Sequence, residues 1–133
     1  MFHISKITTA FFLVTVIGVT HNTYADTSNY SKTKDSKVGF TAHTTMFDVD
    51  GEFKDWDSSV HINTKDLSKS SFEVRIATKS VDTGIDKRDT HLREDDFFNS
   101  PKFAYATFKS SKITVISKNR LHIQGNLTIR NKT

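Results

Sequence analysis

From Val38 onward, apolar and polar residues alternate in one segment after another. Val38, Phe40 and Ala42 alternate with Gly39 and Thr41, and Phe47, Val49, Gly51 and Phe53 alternate with Asp48, Asp50 and Glu52. The pattern returns at Val60–Ile62, Phe72–Ile76, Ala104–Phe108, Ile113–Val115 and Leu121–Ile129. A period of two is the signature of an extended strand with one wet face and one dry face. Parallel sheets are buried on both faces and do not read this way, so the sheet is antiparallel. Seven such segments in series, separated by KDWDSS, KDLSKSS and SKNR, predict an all-β sandwich or barrel. No long period repeats, which excludes a solenoid.

Composition narrows the function classes. The chain has 133 residues, enough for one domain, and eleven of them are Phe. Aromatics at that density build a core or line an apolar cavity. Cysteine is absent, so disulfides, thiolate nucleophiles and Cys-based zinc sites are excluded. The formal charge is +4, with Lys and Arg spread among Asp and Glu along most of the chain. A nucleic-acid binder would cluster its basic residues on one face, so no nucleic-acid partner is expected.

The N-terminus reads as a removable export signal. Lys6 supplies the positive start, and Ile7–Val19 is an apolar run of the length typical of a signal-peptide core, about 7–15 residues. It is too short for a transmembrane helix, which needs about 20, so no stable membrane span is expected. Thr23 and Ala25 place cleavage after Ala25. The expected organisation is a signal peptide over 1–25, a flexible polar lead-in over 26–36 and one β domain over 37–133. The expected location is the periplasm of a bacterium, with secretion as the second choice.

One segment breaks the alternation. Ser80–Phe98, SVDTGIDKRDTHLREDDFF, is dense in charge. Asp82-Thr83-Gly84 reads as a turn, because Asp and Thr bond nearby backbone and Gly accepts positive φ. Asp86 suits an N-cap, and the spacings Asp89/Arg93 and His91/Asp95 predict a short helix from Asp86 to about Asp95.

The same residues resemble a known family. Ser80-Val81-Asp82-Thr83-Gly84, Arg88-Asp89, His91-Leu92-Arg93 and Asp96-Phe97-Phe98 are similar to the signature of the YceI-like family. So are His43 with Val49-Asp50-Gly51-Glu52-Phe53, Ala106-Thr107-Phe108-Lys109-Ser110 and Gly125-Asn126-Leu127-Thr128-Ile129. The resemblance runs from about Ser36 to the last residue. Glu94, Ala104, Asn131 and Lys132 depart from the usual Ser, Pro, Gly and Val. The resemblance implies an antiparallel lipocalin-like β-barrel with one short helical crossover. It also implies an exported protein that holds a polyisoprenoid or similar amphiphilic lipid inside. Typical members continue for about two more strands. The expectation is therefore a C-terminally truncated, incomplete barrel of about seven strands, with an open sheet edge available for a homodimer.

The chemistry of the polar run favours architecture over catalysis. Its carboxylates are interleaved with Lys87, Arg88 and Arg93, and nothing sets one apart as a proton donor. Ser80, His91 and Asp89 have no nucleophile elbow or oxyanion-hole motif beside them. No catalytic residue, metal ligand or cofactor is expected. Asp82, Thr83, Gly84, Arg88, Asp89, His91 and Arg93 are expected to form a structural network fixing the crossover. On the lipid-carrier reading, the lining consists of Phe40, Phe47, Val49, Phe53, Phe72, Val74, Ile76, Leu92, Phe97 and Phe108, although each alone is also what core packing requires. Three alternatives stand beside this reading. One is a metal- or stress-related periplasmic binding protein using His91 and nearby carboxylates. Another is an enzyme acting on a lipid, and the third is a truncated chain without ligand function.

Overall fold

Alternating strands must hide their dry faces against something, and here two sheets do so against each other. The computed structural model describes residues 27–30, 32–43, 46–117 and 120–133. The export segment and its cleavage position lie outside these. The strands are β1 (Thr27–Tyr30), β2 (Val38–His43), β3 (Asp48–Phe53), β4 (Trp56–Asn63), β5 (Ser71–Ala77), β6 (Val81–Asp82), β7 (Tyr105–Ser117) and β8 (Arg120–Thr128). One helix, α1, spans Asp86–Arg93. The larger sheet has the order β1-β4-β5-β7-β8 and the smaller β2-β3-β6, with antiparallel pairing throughout. The expected fold class holds, and the barrel is open: among the described residues no ladder joins the two sheets at their far edges.

They are joined at a double corner. β3 bends through Lys54–Asp55 into β4, and β5 bends through the 3-10 turn Thr78–Ser80 into β6. The two bends run side by side. Lys54 N donates to Ser80 O at 3.1 Å, and Ala77 N donates to Asp55 O at 2.9 Å. Ser80 Oγ accepts from Asp55 N at 3.0 Å and can donate to Ala77 O at 2.7 Å. Thr78 is buried, and its hydroxyl donates to Phe103 O and Ala104 O. The corner thus pairs backbone across the two bends, where Thr78 is buried while Lys54, Asp55 and Lys79 stay exposed.

Three details depart from the sequence reading. The polar stretch 26–36 was expected to be a loose lead-in, yet it contributes β1, paired to β4. Pairing at an edge is made by backbone, so no apolar alternation announces it. Trp56 opens β4 and is buried, with the turn shortened to Lys54–Asp55. The two segments Ala104–Phe108 and Ile113–Val115 are one strand, β7. Their inward positions change from even to odd numbers because an extra residue, Ser111, sits between the pairs Ser110↔Gly125 and Lys112↔Gln124. A bulge of this kind inverts the faces beyond it.

The core lies between the sheets. Val38, Phe53, Trp56, Ile62, Phe72, Val74, Ile76, Val81, Ala106 and Ile113 form one buried cluster. Phe53 packs on Phe40 and Phe98 with centroids at 5.6 and 5.5 Å, and Phe72 meets Phe108 edge-on at 6.0 Å. Two glycines make room for rings. A β-carbon on Gly51 would lie 2.4 Å from Phe40 Cζ. One on Gly125 would lie 2.3 Å from Lys109 O and 2.6 Å from Phe108 Cζ. A ring laid across a strand glycine compensates its missing side chain. Gly125→Ala forces backbone apart, so it should lower stability by about 1–3 kcal/mol in urea unfolding, with the denaturant dependence unchanged.

Candidate functional site

The segment after the corner is a strap held by polar side chains. Gly84, with φ of +79°, turns the chain, and its amide donates to Asp82 Oδ1 at 2.8 Å. The helix begins at once, but not as expected: Asp86 is its first residue, not its cap. Ile85 holds the capping position with no side-chain bond, and the helix ends at Arg93. The carboxylate that does the equivalent work is Asp89, which is 4% exposed. It accepts from Thr83 N at 2.9 Å and Thr83 Oγ1 at 2.5 Å, tying the helix back to the turn before it. Arg88 closes the loop from the other side, Nε to Thr83 Oγ1 at 2.7 Å and Nη2 to Thr83 O at 2.8 Å.

The i, i+4 pairs expected along the helix are replaced by longer-range bonds. Arg93 turns away from Asp89 and donates to Lys79 O at 2.8 Å and Val81 O at 3.0 Å, fastening the helix to the corner. His91 lies on the exposed side, edge-on to Phe97 at 4.9 Å and 4.0 Å from Glu94. Past the helix, Asn99 takes a left-handed conformation, and Phe98 N, Asn99 N and Ser100 N bond back to Leu92 O, Glu94 O and Arg93 O. Leu92 and Phe98 thereby reach the core. The structure brings together all seven expected motif residues except His91, which stands outside the network. Arg130, which the sequence reading passed over, donates to Phe97 O at 2.9 Å.

Electrostatics at the turn are local. The Asp82 carboxyl is held below its usual 3.8, chiefly by the Gly84 amide, against the cost of desolvation and with help from Lys54 at 3.4 Å. Lys54 also bonds Glu52 and is pushed above its usual 10.5, foremost by that bond. Among the described residues, no group of three His, Asp or Glu side chains converges in a metal-binding arrangement.

The expected lining residues divide into three sets. Phe53, Phe72, Val74 and Ile76 are buried in a filled core. Phe40, Leu92 and Phe108 are half-buried against it, and Val49 and Phe97 are half-buried as well. Phe47 departs from expectation: it precedes β3 and is 60% exposed. The inner face of the large sheet continues past this core into β8. Val74 aligns with Phe108 and Phe108 with Leu127, while Ile113 aligns with Ile123. Leu127 and Ile123 are only half-covered. Two surface hollows lie elsewhere. One is an open hollow of about 640 Å³ on the outer side of α1, lined by Ile85, Lys87 and His91 among others. The second lies beside Gly51 and Gly84.

A small sheet, a bent ladder and a strapped helix in this order match a known domain. The model of the YceI-like domain matches residues 30–133. The chain belongs to the YceI-like family. Protein YceI of Salmonella arizonae is 41% identical over 83 residues, 62% of this chain and 43% of that protein. A UPF0312 protein of Vibrio cholerae is 31% identical over 85 residues, 64% of this chain and 45% of that protein. The chain therefore spans less than half the length of these curated relatives. Among solved structures, Burkholderia cenocepacia BcnA has a TM-score of 0.64 at 26% identity, covering 72% of this chain and 60% of that one. The Campylobacter jejuni YceI protein has a TM-score of 0.57 at 30% identity, covering 68% and 53%.

Two measurements check the strap of this YceI-like chain. Asp89→Ala leaves the Thr83 amide without its acceptor, and stability should fall by about 2–3 kcal/mol, read by urea unfolding. Carboxyl NMR titration should place Asp82 below 3.8, rising toward it in Lys54→Met. Because the folded value is the lower one, its stabilising contribution is present above about pH 4 and is lost as pH falls through the folded value.

Proposed function

We propose that this YceI-like chain is an exported, non-enzymatic binding protein that holds a polyisoprenoid or similar amphiphile against the inner face of its large sheet. The observation that carries the reading is the partial cover of that face. Beyond the filled core, Phe108 and Ile123 of the large sheet and Ile129 just after it pack against the cluster yet stay half-buried, as does Phe40 of the small sheet. An apolar chain laid there gains about 25 cal/mol per Å² removed from water. Such a ligand asks for few polar contacts, in keeping with a face that carries no charged side chain between Phe72 and Ile76 on β5 or between Ala106 and Ser110 on β7 at inward positions. The strap is placed to hold one end of this face, since Arg93 and Phe98 fix the helix to the corner and the core.

The test is native mass spectrometry of the protein recovered from a bacterial periplasm. The expected spectrum shows a mature chain starting at Asp26, with an adduct of several hundred daltons that organic solvent extracts as lipid. Phe40→Ser with Ile123→Ser should lose the adduct while the far-UV circular dichroism stays that of the parent. His91→Ala should keep it. A folded chain that takes up no adduct after incubation with isoprenoid quinones overturns the reading. The same spectrum reports whether two copies pair along the open edge of β8.

A further inference from the structure

β7 outruns its neighbour. Its last pair with β5 is Glu73↔Lys109, whereas its pairing with β8 continues to Ser117↔Arg120. The outer half of β7 and the first half of β8 therefore form a two-stranded arm beyond β5. The two faces of the arm differ in chemistry. The pairs Lys112↔Gln124 and Thr114↔His122 stand on one face. The pairs Ile113↔Ile123 and Val115↔Leu121 stand on the other, which continues the inner side of the large sheet. Ile113 is buried at the base of the arm, and Ile123 is half-buried. Further out the cover stops: Val115 is 56% exposed and Leu121 is 38% exposed.

β8 carries this apolar side as one strip. Leu127, Gly125, Ile123 and Leu121 hold its inward positions in turn, and the Phe108 ring lies across Gly125. No charged side chain stands among them. From Leu127 to Leu121 the strip is roughly 20 Å long, at about 3.4 Å per residue. Its inner end meets the core cluster, against which Phe108 and Ile123 pack. Its outer end is the open pair Val115 and Leu121. Scattered exposed aliphatics are ordinary; a facing pair that ends a continuous strip marks a contact surface.

The chemistry of the strip separates its candidate occupants. A bilayer surface is met by cations beside the apolar side chains, whereas Lys112 stands on the opposite face. A protein partner centres on a Trp, Tyr or Arg anchor, and the strip has none. An extended hydrocarbon chain needs only a narrow, uncharged and continuous track. This track begins on the face where the amphiphile is proposed to lie.

We propose that the strip measures the cargo chain: the hydrocarbon runs outward from the core along β8, and Val115 and Leu121 set the length that is held best. This inference rests on the carrier reading above and deepens it. An isoprene unit adds four chain bonds, about 5 Å, so the strip spans about four units. Each unit laid on it should tighten binding roughly tenfold, and units beyond the Val115–Leu121 pair should add nothing.

The experiment is competition among prenyl alcohols of two, three, four and eight units, presented together to the delipidated protein and read as adduct shares by native mass spectrometry. The four-unit chain should outcompete the two-unit chain roughly hundredfold and match the eight-unit chain. Val115→Ser with Leu121→Ser should weaken the four-unit chain roughly tenfold, to the level of the three-unit one. Lys112→Ser, on the opposite face, should select like the parent. Circular dichroism and melting that match the parent show that these exposed changes leave the fold intact. Equal shares of all lengths, a share that keeps rising from four units to eight, or unchanged selection in the double variant overturns this inference and leaves the carrier reading standing. No adduct at any length overturns both. A concentration-dependent dimer that the double variant abolishes assigns the end of the strip to a second copy and also overturns the inference.

Discussion

Everything in this chain hangs from the paired bends at Lys54–Asp55 and Thr78–Ser80. Two backbone bonds and the Ser80 hydroxyl carry one ladder from the large sheet to the small one. Of the corner residues Thr78 is buried, and its hydroxyl is satisfied by the Phe103 and Ala104 carbonyls, so the bend buries no orphaned polar group there. With partners in place, Phe53 and Trp56 enter the same core from either side of the bend, in different sheets. Two apolar faces that alternation alone would leave facing solvent are thereby turned toward each other.

The charged run after the corner is best understood as scaffolding for two apolar side chains. Leu92 and Phe98 reach the core only because Asp89, Arg88 and Arg93 fix where the helix starts and where it lies. All six hydrogen bonds described for the Arg88, Asp89 and Arg93 side chains go to backbone atoms or to the Thr83 hydroxyl, not to another charge. Directed hydrogen bonds position a segment more sharply than exposed ion pairs, which are worth little. That explains why a stretch so rich in acids, bases and a histidine presents no acid–base pair for chemistry.

Much of this was legible in the sequence, and the failures have physical causes. Alternation located β2 to β5, β7 and β8, because each has one wet face. It missed β1, a polar stretch that pairs with β4, and it split β7 at Ser111, where an added residue swaps the faces. The motif residues were recognisable as a group, but their partners were not. Helical spacing suggested Asp89 with Arg93, whereas burial of Asp89 against Thr83 left Arg93 to reach the carbonyls of Lys79 and Val81. Phe47 read as inward by parity; it lies one residue before the strand begins, so parity did not apply.

The extra residue at Ser111 also constrains how this chain can vary in length. Ala106 and Phe108 face the core on one side of it and Ile113 on the other, so the strand works as two frames offset by a single position. Deleting one residue at the bulge would merge the frames into one regular alternation in which Ile113 still faces the core, whereas inserting a second one there would send Ile113 to the solvent side. This stretch of β7 should therefore tolerate the loss of one residue far better than the gain of one.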